Sequence, residues 1–365
     1  MSDFPDVAVV GFEQAPTVRA SAGTTNGVEM LIPVFQRLLA NAGIVKGDVG
    51  FWCSGSSDYL AGRAFSFVSA IDAIGAMPPI NESHVEADAA WALYEAWLKL
   101  RTGEVGTALV YGFGKASAGH LRRVLTLQTD PYVVAPLWPD SVSLAALQAR
   151  AGLDAGAWTE KEMAQVAVRA REAAAGRPDA QLRRRLEVDD LLAAPYLADP
   201  LRAHDCAPIG DGAAAVLLAA GDRARELTGR PAWIRGIAHR VESAHLGVRD
   251  LASSPSTVAA ARAALSLDGG TGELGTWLEG LDVAELHAPF SHQELLLHAA
   301  LELPDRTRVN PSGGALTGNP MFAAGLIRIG QAARQIHDGL AVRALAHATQ
   351  GPVLQHNLVV LMEAG

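Results

Sequence analysis

The strongest constraint on the fold lies in residues 283–324, VAELHAPFSHQELLLHAALELPDRTRVNPSGGALTGNPMFAA. A short apolar run ends in Glu285-Leu286-His287. One helix-length follows, then a loop crowded with small residues, Asn310-Pro311-Ser312-Gly313-Gly314-Ala315-Leu316-Thr317-Gly318-Asn319-Pro320. Strand, helix and loop in that order are parts of a layered α/β domain. Glycines beside Asn and Ser let backbone approach a ligand closely and leave N–H groups free to meet an oxygen. The same cluster also reads as an ordinary turn. His287 has a reference pKa near neutrality, which suits a general acid or base. A lone histidine at a strand end reads equally well as a satisfied core residue.

The alternation runs along the chain. Residues 7–11 read as a strand, 26–42 as a helix with Met30, Leu31, Val34, Leu38 and Leu39 on one face, and 48–56 as a strand. Residues 61–73 read as a short helix, 85–100 as a helix apolar nearly all round, and 107–112 as the next strand. Residues 115–201 interrupt the pattern with six prolines, from Pro131 to Pro200, and one helical run at 160–175. This is a loop-rich excursion. Residues 213–220 close the first half as a strand, and Arg230-Pro231 marks the boundary. The second half repeats the plan, with strands at 232–237, 283–287, 340–348 and 353–362 and helices at 257–265, 292–300 and 322–337. Two halves of the same element order, 1–229 and 230–365, suggest duplication.

Composition excludes several classes. An apolar share of 49% and a charged share of 19% suit a large buried α/β protein. A net charge of −9 gives no electrostatic footprint for nucleic acid. With Cys53 and Cys206 alone there is no disulfide framework and no C-x-x-C pair for zinc, so no metal is expected. Few cysteines, no signal peptide and no run of about eighteen apolar residues predict a cytoplasmic protein without a membrane span.

Several stretches resemble one family in order. ELHxxFSxxELL followed by VNPSGGxxxGxP is similar to the C-terminal half of the sterol-carrier-protein branch of the thiolase superfamily. Asp205-Cys206-Ala207-Pro208-Ile209-Gly210-Asp211-Gly212-Ala213-Ala214-Ala215-Val216 resembles its D-C-x-P-x-x-D-G-A-A-A-V strand, and Gln355-His356-Asn357 its last active-site loop. Residues 86–93, EADAAWAL, fall where that family has its C-A-S/T-G-x-x-A-L nucleophile motif. The resemblance implies an α/β thiolase fold: two βαβαβαββ halves in five layers, with a loop domain at about 115–201. It also implies dimerisation through an edge strand of the first half, expected at residues 107–112.

The chemistry positions depart from the family. Aligned without a gap the nucleophile falls on Glu86; slipped by a turn it falls on Ala89. The Gly-His-Pro loop reads Gly318-Asn319-Pro320, and H-D-C-F reads His287-Ala288-Pro289-Phe290. Asn319 cannot act as a base but can donate to an oxyanion. The resemblance therefore assigns His287, Asn319 and Glu86 as catalytic candidates. It places Gly314, Gly318, Asp88, Ala89, Trp91 and His356 around the substrate. Glu86 and Asp88 also read as helix-terminus residues stabilised by the dipole. His84 is close enough to pair with either, and Cys53 is a conceivable relocated nucleophile or a small apolar filler.

The expected substrate is a coenzyme A thioester, with no tightly bound cofactor, and Arg183-Arg184-Arg185 reads as a phosphate contact or an exposed turn. The expected reaction is retro-aldol or Claisen-type C–C cleavage without an acyl-enzyme, in lipid or steroid side-chain metabolism. The alternatives are a non-catalytic acyl-CoA-binding subunit of a hetero-oligomeric thiolase-like acyltransferase, or a lipid-transfer protein. Expected partners are a second copy or another thiolase-like chain, and a small OB-fold, zinc-ribbon protein.

Overall fold

The computed structural model describes residues 4–22, 27–58, 66–75, 80–267 and 273–365. The strands are β1 (Val7–Gln14), β2 (Phe51–Gly55), β3 (Glu82–Val85), β4 (Thr107–Gly114), β5 (Tyr196–Ala198), β6 (Leu201–Arg202), β7 (Ile209–Gly210), β8 (Gly212–Ala220), β9 (Ala232–Val241), β10 (Val283–Leu286), β11 (Arg308–Val309), β12 (Asn319–Pro320), β13 (Arg343–Gln350) and β14 (His356–Ala364). Ten of them form one sheet in the order β11-β10-β13-β14-β9-β1-β8-β4-β2-β3. Its seam is the antiparallel pairing of β1 with β9, Ala8 opposite Trp233 and Val9 opposite Ala232.

Outward from that seam the two halves match strand for strand. β8 runs antiparallel to β1 and β4, and β2 parallel to β4 and β3. Likewise β14 runs antiparallel to β9 and β13, and β10 parallel to β13 and β11. Helices Val28–Ala42, Ser66–Ile74 and Ala89–Arg101 connect the strands of the first half; Pro255–Leu267, Ser291–Ala300 and Ala324–His337 hold the equivalent places in the second. Each half is therefore βαβαβαββ.

Side-chain alternation sorts the layers. On β14, Leu358, Val360 and Met362 face an inner core, while Val359 and Leu361 face an outer one. The inner core takes Leu93, Leu100, Leu326 and Ile336 from the two central helices, Ala89–Arg101 and Ala324–His337, with Val110 and Val216 of the first half. Leu31, Phe35 and Leu38 cover the outer face of the first half against Trp52, Tyr111 and Leu217. Ala260, Ala264 and Leu297 cover that of the second against Leu286, Leu345 and Leu361. Helix, sheet, helix, sheet and helix make five layers.

Four expectations need correction. Residues 107–112 are not at an edge: β4 lies between β8 and β2, because β8 returns antiparallel beside it, and the edge strand of the first half is β3. The first central helix begins at Ala89 rather than 85, because Asp88 accepts from Ala90 N–H and caps it there. The insertion between β4 and β8 is more helical than its prolines suggest, with Leu121–Leu127, Ser141–Asp154, Glu160–Ala174 and Val188–Ala193. Of the helix expected at 61–73, residues 66–73 fall in the observed helix Ser66–Ile74, and 61–65 lie outside the described residues. Among the described residues no helix is long and apolar enough to cross a membrane.

Candidate functional site

Three motifs distant in sequence meet at one end of the central helices. β12 pairs in parallel with β7, setting Asn319 opposite Ile209 and Pro320 opposite Gly210. Ala207 N–H donates to Pro289 O (2.8 Å), and Cys206 bridges Phe290. The Asp205–Gly212 motif thus ties the strand end after His287 to the Gly318-Asn319-Pro320 loop.

His287 is buried with both ring nitrogens engaged. Thr349 N–H donates to its Nδ1 (3.3 Å), which assigns the lone pair to Nδ1 and the proton to Nε2. Nε2 then donates to Asn319 Oδ1 (3.0 Å). Burial holds the imidazole pKa down to about 3, against the pull of the Asn319 hydrogen bond and with the Arg328 guanidinium adding to the depression. A neutral ring with its lone pair committed orients Asn319 and is poorly placed to take a proton. Among the described residues the Asn319 amide makes no hydrogen bond beside the one its Oδ1 accepts.

A carboxylate staples the starts of the two central helices together. Asp88 is buried at the N-termini of both central helices. Its Oδ1 accepts from Ala90 N–H (2.9 Å) and Leu326 N–H (3.2 Å), and its Oδ2 from Gly325 N–H (3.0 Å). Burial raises its carboxyl pKa, and the three N–H donors oppose that rise. Residue 325 is glycine for a steric reason: a Cβ there would lie 2.6 Å from Asp88 Oδ1. Ala89, the first helical residue, is buried, and its N–H donates to Phe322 O (2.9 Å).

The remaining candidates separate from this centre. Glu86 sits in the turn between β3 and the first central helix, its side chain 51% exposed. One oxygen accepts from Asp58 N–H (2.9 Å), and the other lies 3.6 Å from His84 Nε2. His84 Nδ1 in turn meets Ser54 Oγ (2.9 Å). Trp91 is buried with its ring tilted against His239, and burial, with His239 adding to it, lowers the pKa of half-buried His356 at the start of β14. Cys53 is buried, and burial pushes its thiol up to about 12, away from a reactive thiolate.

The glycine-rich loop is braced from below. Glu285 accepts from Ser312 N–H (3.0 Å), Ser312 Oγ–H (2.7 Å) and Arg328 Nη1 (2.7 Å), all buried. Gly314 takes the left-handed φ of 63°. Gly318 lies where a Cβ would press on Thr17 at 3.1 Å. Behind the loop lies a small half-open pocket, with room for little more than a water, between Ser312 and Gly318 on one side and Arg177 and Asp179 of the insertion on the other. Neither His287 nor Asn319 lines it, and its two arginines are paired with Glu285 and Asp179. Sequence reasoning missed Thr349, Phe322, Glu285 and Arg328 as site-builders. Only Glu285 carried a signal, in Glu285-Leu286-His287.

Buried neutral histidines make stability pH-dependent. His287 and His292 are held at about 3 and His347 at about 4, each chiefly by burial. All three sit below the unfolded value of about 6.5, so under that pH the unfolded chain binds more protons than the folded one. Stability is full above it and falls as pH drops toward the folded values. The expected slope is about 4 kcal/mol per pH unit for the three together. Urea unfolding at pH 7 and pH 5.5 checks this, and equal midpoints would count against it.

No protein-family profile matches the chain. It is similar to a protein named acetyl-CoA acetyltransferase from Methanothermobacter thermautotrophicus, 28% identical over 382 residues, 97% of this chain and 96% of that one. Sterol carrier protein 2 of Gallus gallus is 23% identical over 386 residues, 96% of this chain and 69% of its own. Benzoylsuccinyl-CoA thiolase subunit BbsB of Thauera aromatica is 25% identical over 220 residues, 53% of this chain and 56% of its own. Taken with the duplicated βαβαβαββ halves and the order of the motifs, these likenesses support membership of the thiolase superfamily.

Proposed function

We propose that the chain binds an acyl-CoA thioester within a thiolase-like assembly and takes no acyl group onto itself, the covalent step falling to a partner. The observation that carries this reading is the start of the first central helix. Ala89 stands there, its N–H is given to Phe322 O, and the Asp88 carboxylate fills the gap between the two helix ends. The helix end offers an incoming thioester neither a thiol nor an open oxyanion hole, because the buried carboxylate already takes up its N–H donors. The similarity to a protein named as a thiolase subunit supports an assembly of unlike chains. The partner on this reading is a thiolase-like chain that carries the cysteine.

The test has two arms. Intact mass after incubation with acetyl-CoA is expected to be unchanged, and purification from the native cells is expected to bring down a thiolase-like chain with a cysteine nucleophile. An acyl adduct on Cys53 or any other residue overturns the reading, as does a lone chain that converts acyl-CoA unaided.

One observation favours a second reading, C–C cleavage of a β-hydroxyacyl-CoA without an acyl-enzyme. The free amide N–H2 of Asn319 is suited to the enolate oxygen such a cleavage generates. On that reading Asn319→Ala lowers turnover by about 10²–10³ with little change in KM. A wild-type complex that turns over no β-hydroxyacyl-CoA removes it.

A further inference from the structure

The strand that delivers His287 loses its outer neighbour two residues too early. β11 pairs with β10 only at Val283–Arg308 and Ala284–Val309. Beyond it Asn310 turns into the left-handed region, φ 47°, and leaves the ladder. Leu286 N–H would then be a buried donor with no strand opposite. The Asn310 side chain takes that place: its Oδ1 accepts from Leu286 N–H at 2.7 Å, while Asn310 N–H still donates to Ala284 O (2.8 Å). On the other side His287 N–H donates to His347 O (3.2 Å), so the strand end is gripped from both flanks.

Something must in turn fix which way the Asn310 amide faces. Its Nδ2 donates to Glu294 Oε2 at 2.6 Å, inside the buried face of helix Ser291–Ala300. The other oxygen of Glu294 pairs with Arg169 Nη2, on helix Glu160–Ala174 of the insertion. Glu294 is 6% exposed and Arg169 52% exposed. A chain of charge-assisted and amide hydrogen bonds therefore runs from the surface of the insertion to the residue before His287.

We infer that Asn310 and Glu294 are positioning residues for the His287–Asn319 pair, and that Arg169 makes their grip depend on the docking of the inserted domain. If Arg169 leaves, Glu294 keeps a buried charge with one partner fewer, and the Asn310 amide that aims Oδ1 at Leu286 is held by a carboxylate no longer fixed at its other oxygen. The consequence for acyl-CoA binding rests on the proposed function; the coupling itself does not.

Hydrogen exchange on the whole, ligand-free protein tests the coupling. Arg169→Gln is expected to speed exchange at the Leu286 amide by about tenfold, the scale of one charge-assisted bond. The His287 side-chain ¹⁵N resonances are expected to move with it. Val359, elsewhere in the same half of the sheet, reports general loosening and is expected to stay unchanged. Arg169→Lys is expected to restore most of the protection. Arg150→Gln breaks another ion pair of the insertion, with Asp199, and is expected to leave Leu286 alone. Unchanged exchange at Leu286 in Arg169→Gln overturns the inference, as does an equal rise at Val359 or in Arg150→Gln. Acetyl-CoA titration of Asn319→Ala tests the proposed function separately, so either idea can fail without the other.

Discussion

Replacing Asp88 with alanine is expected to lower the unfolding free energy by about 4 kcal/mol. The carboxylate satisfies Ala90, Gly325 and Leu326 N–H at the ends of two buried helices. Without it three donors face a space closed to strand or helix partners, and each buried orphan costs about 1–3 kcal/mol. Asp88→Asn is expected to recover less than half of the loss. Its carbonyl oxygen can serve one helix, but its N–H2 then points a donor at a donor. Urea unfolding of the two variants beside wild type measures this. A loss under about 1 kcal/mol in the alanine variant would show that the two helix ends hold together by packing alone.

The second large effect is expected at Arg328. Arg328→Met preserves most of the volume but strands the Glu285 carboxylate, which is wholly buried. Breaking a buried pair from one side costs about 3–5 kcal/mol, because the surviving charge has no counterion. Adding Glu285→Gln is expected to return much of that, since an amide can still accept from Ser312 N–H and carries no charge to desolvate. The double-mutant cycle isolates the pair, with a coupling of about 1–3 kcal/mol. If the double variant is no better than Arg328→Met alone, the arginine matters for its bulk rather than for its charge.

Much of this was legible along the chain because it is periodic or local. Leu358, Val360 and Met362 announce a two-sided strand. Glu285-Leu286-His287 and Gly318-Asn319-Pro320 were singled out together, and the fold does bring His287 and Asn319 into contact. What escaped is polar, short or remote. β3 reads Glu-Ser-His-Val, with no apolar run to mark it, so the sequence pattern starts the following helix at 85, ahead of its observed start at Ala89. A helix signal did exist before Ser141, where Asp140 accepts from Ser143 N–H, but the surrounding prolines outweighed it. Asp88 looked like an ordinary cap because its other partners, Gly325 and Leu326, lie far down the chain. Asn310 looked like a turn residue because its partner Leu286 precedes it by a whole helix.

The distance between Asp88 and Gly325, 237 residues, also bears on how the chain reaches its native state. The first central helix can close its own cap on Ala90 as soon as it leaves the ribosome. The second has no acceptor for its leading N–H groups until the halves come together, and Asp88 holds spare lone pairs until the same moment. Contacts of such separation raise the entropy of the search and slow folding. The inner apolar face of the first half therefore waits uncovered while some hundred more residues are made, an interval of about 5–20 s at typical synthesis rates. A chain built this way has its greatest exposure to aggregation before it is finished, and a chaperone that holds the first half until the second arrives acts at the step where help is most needed.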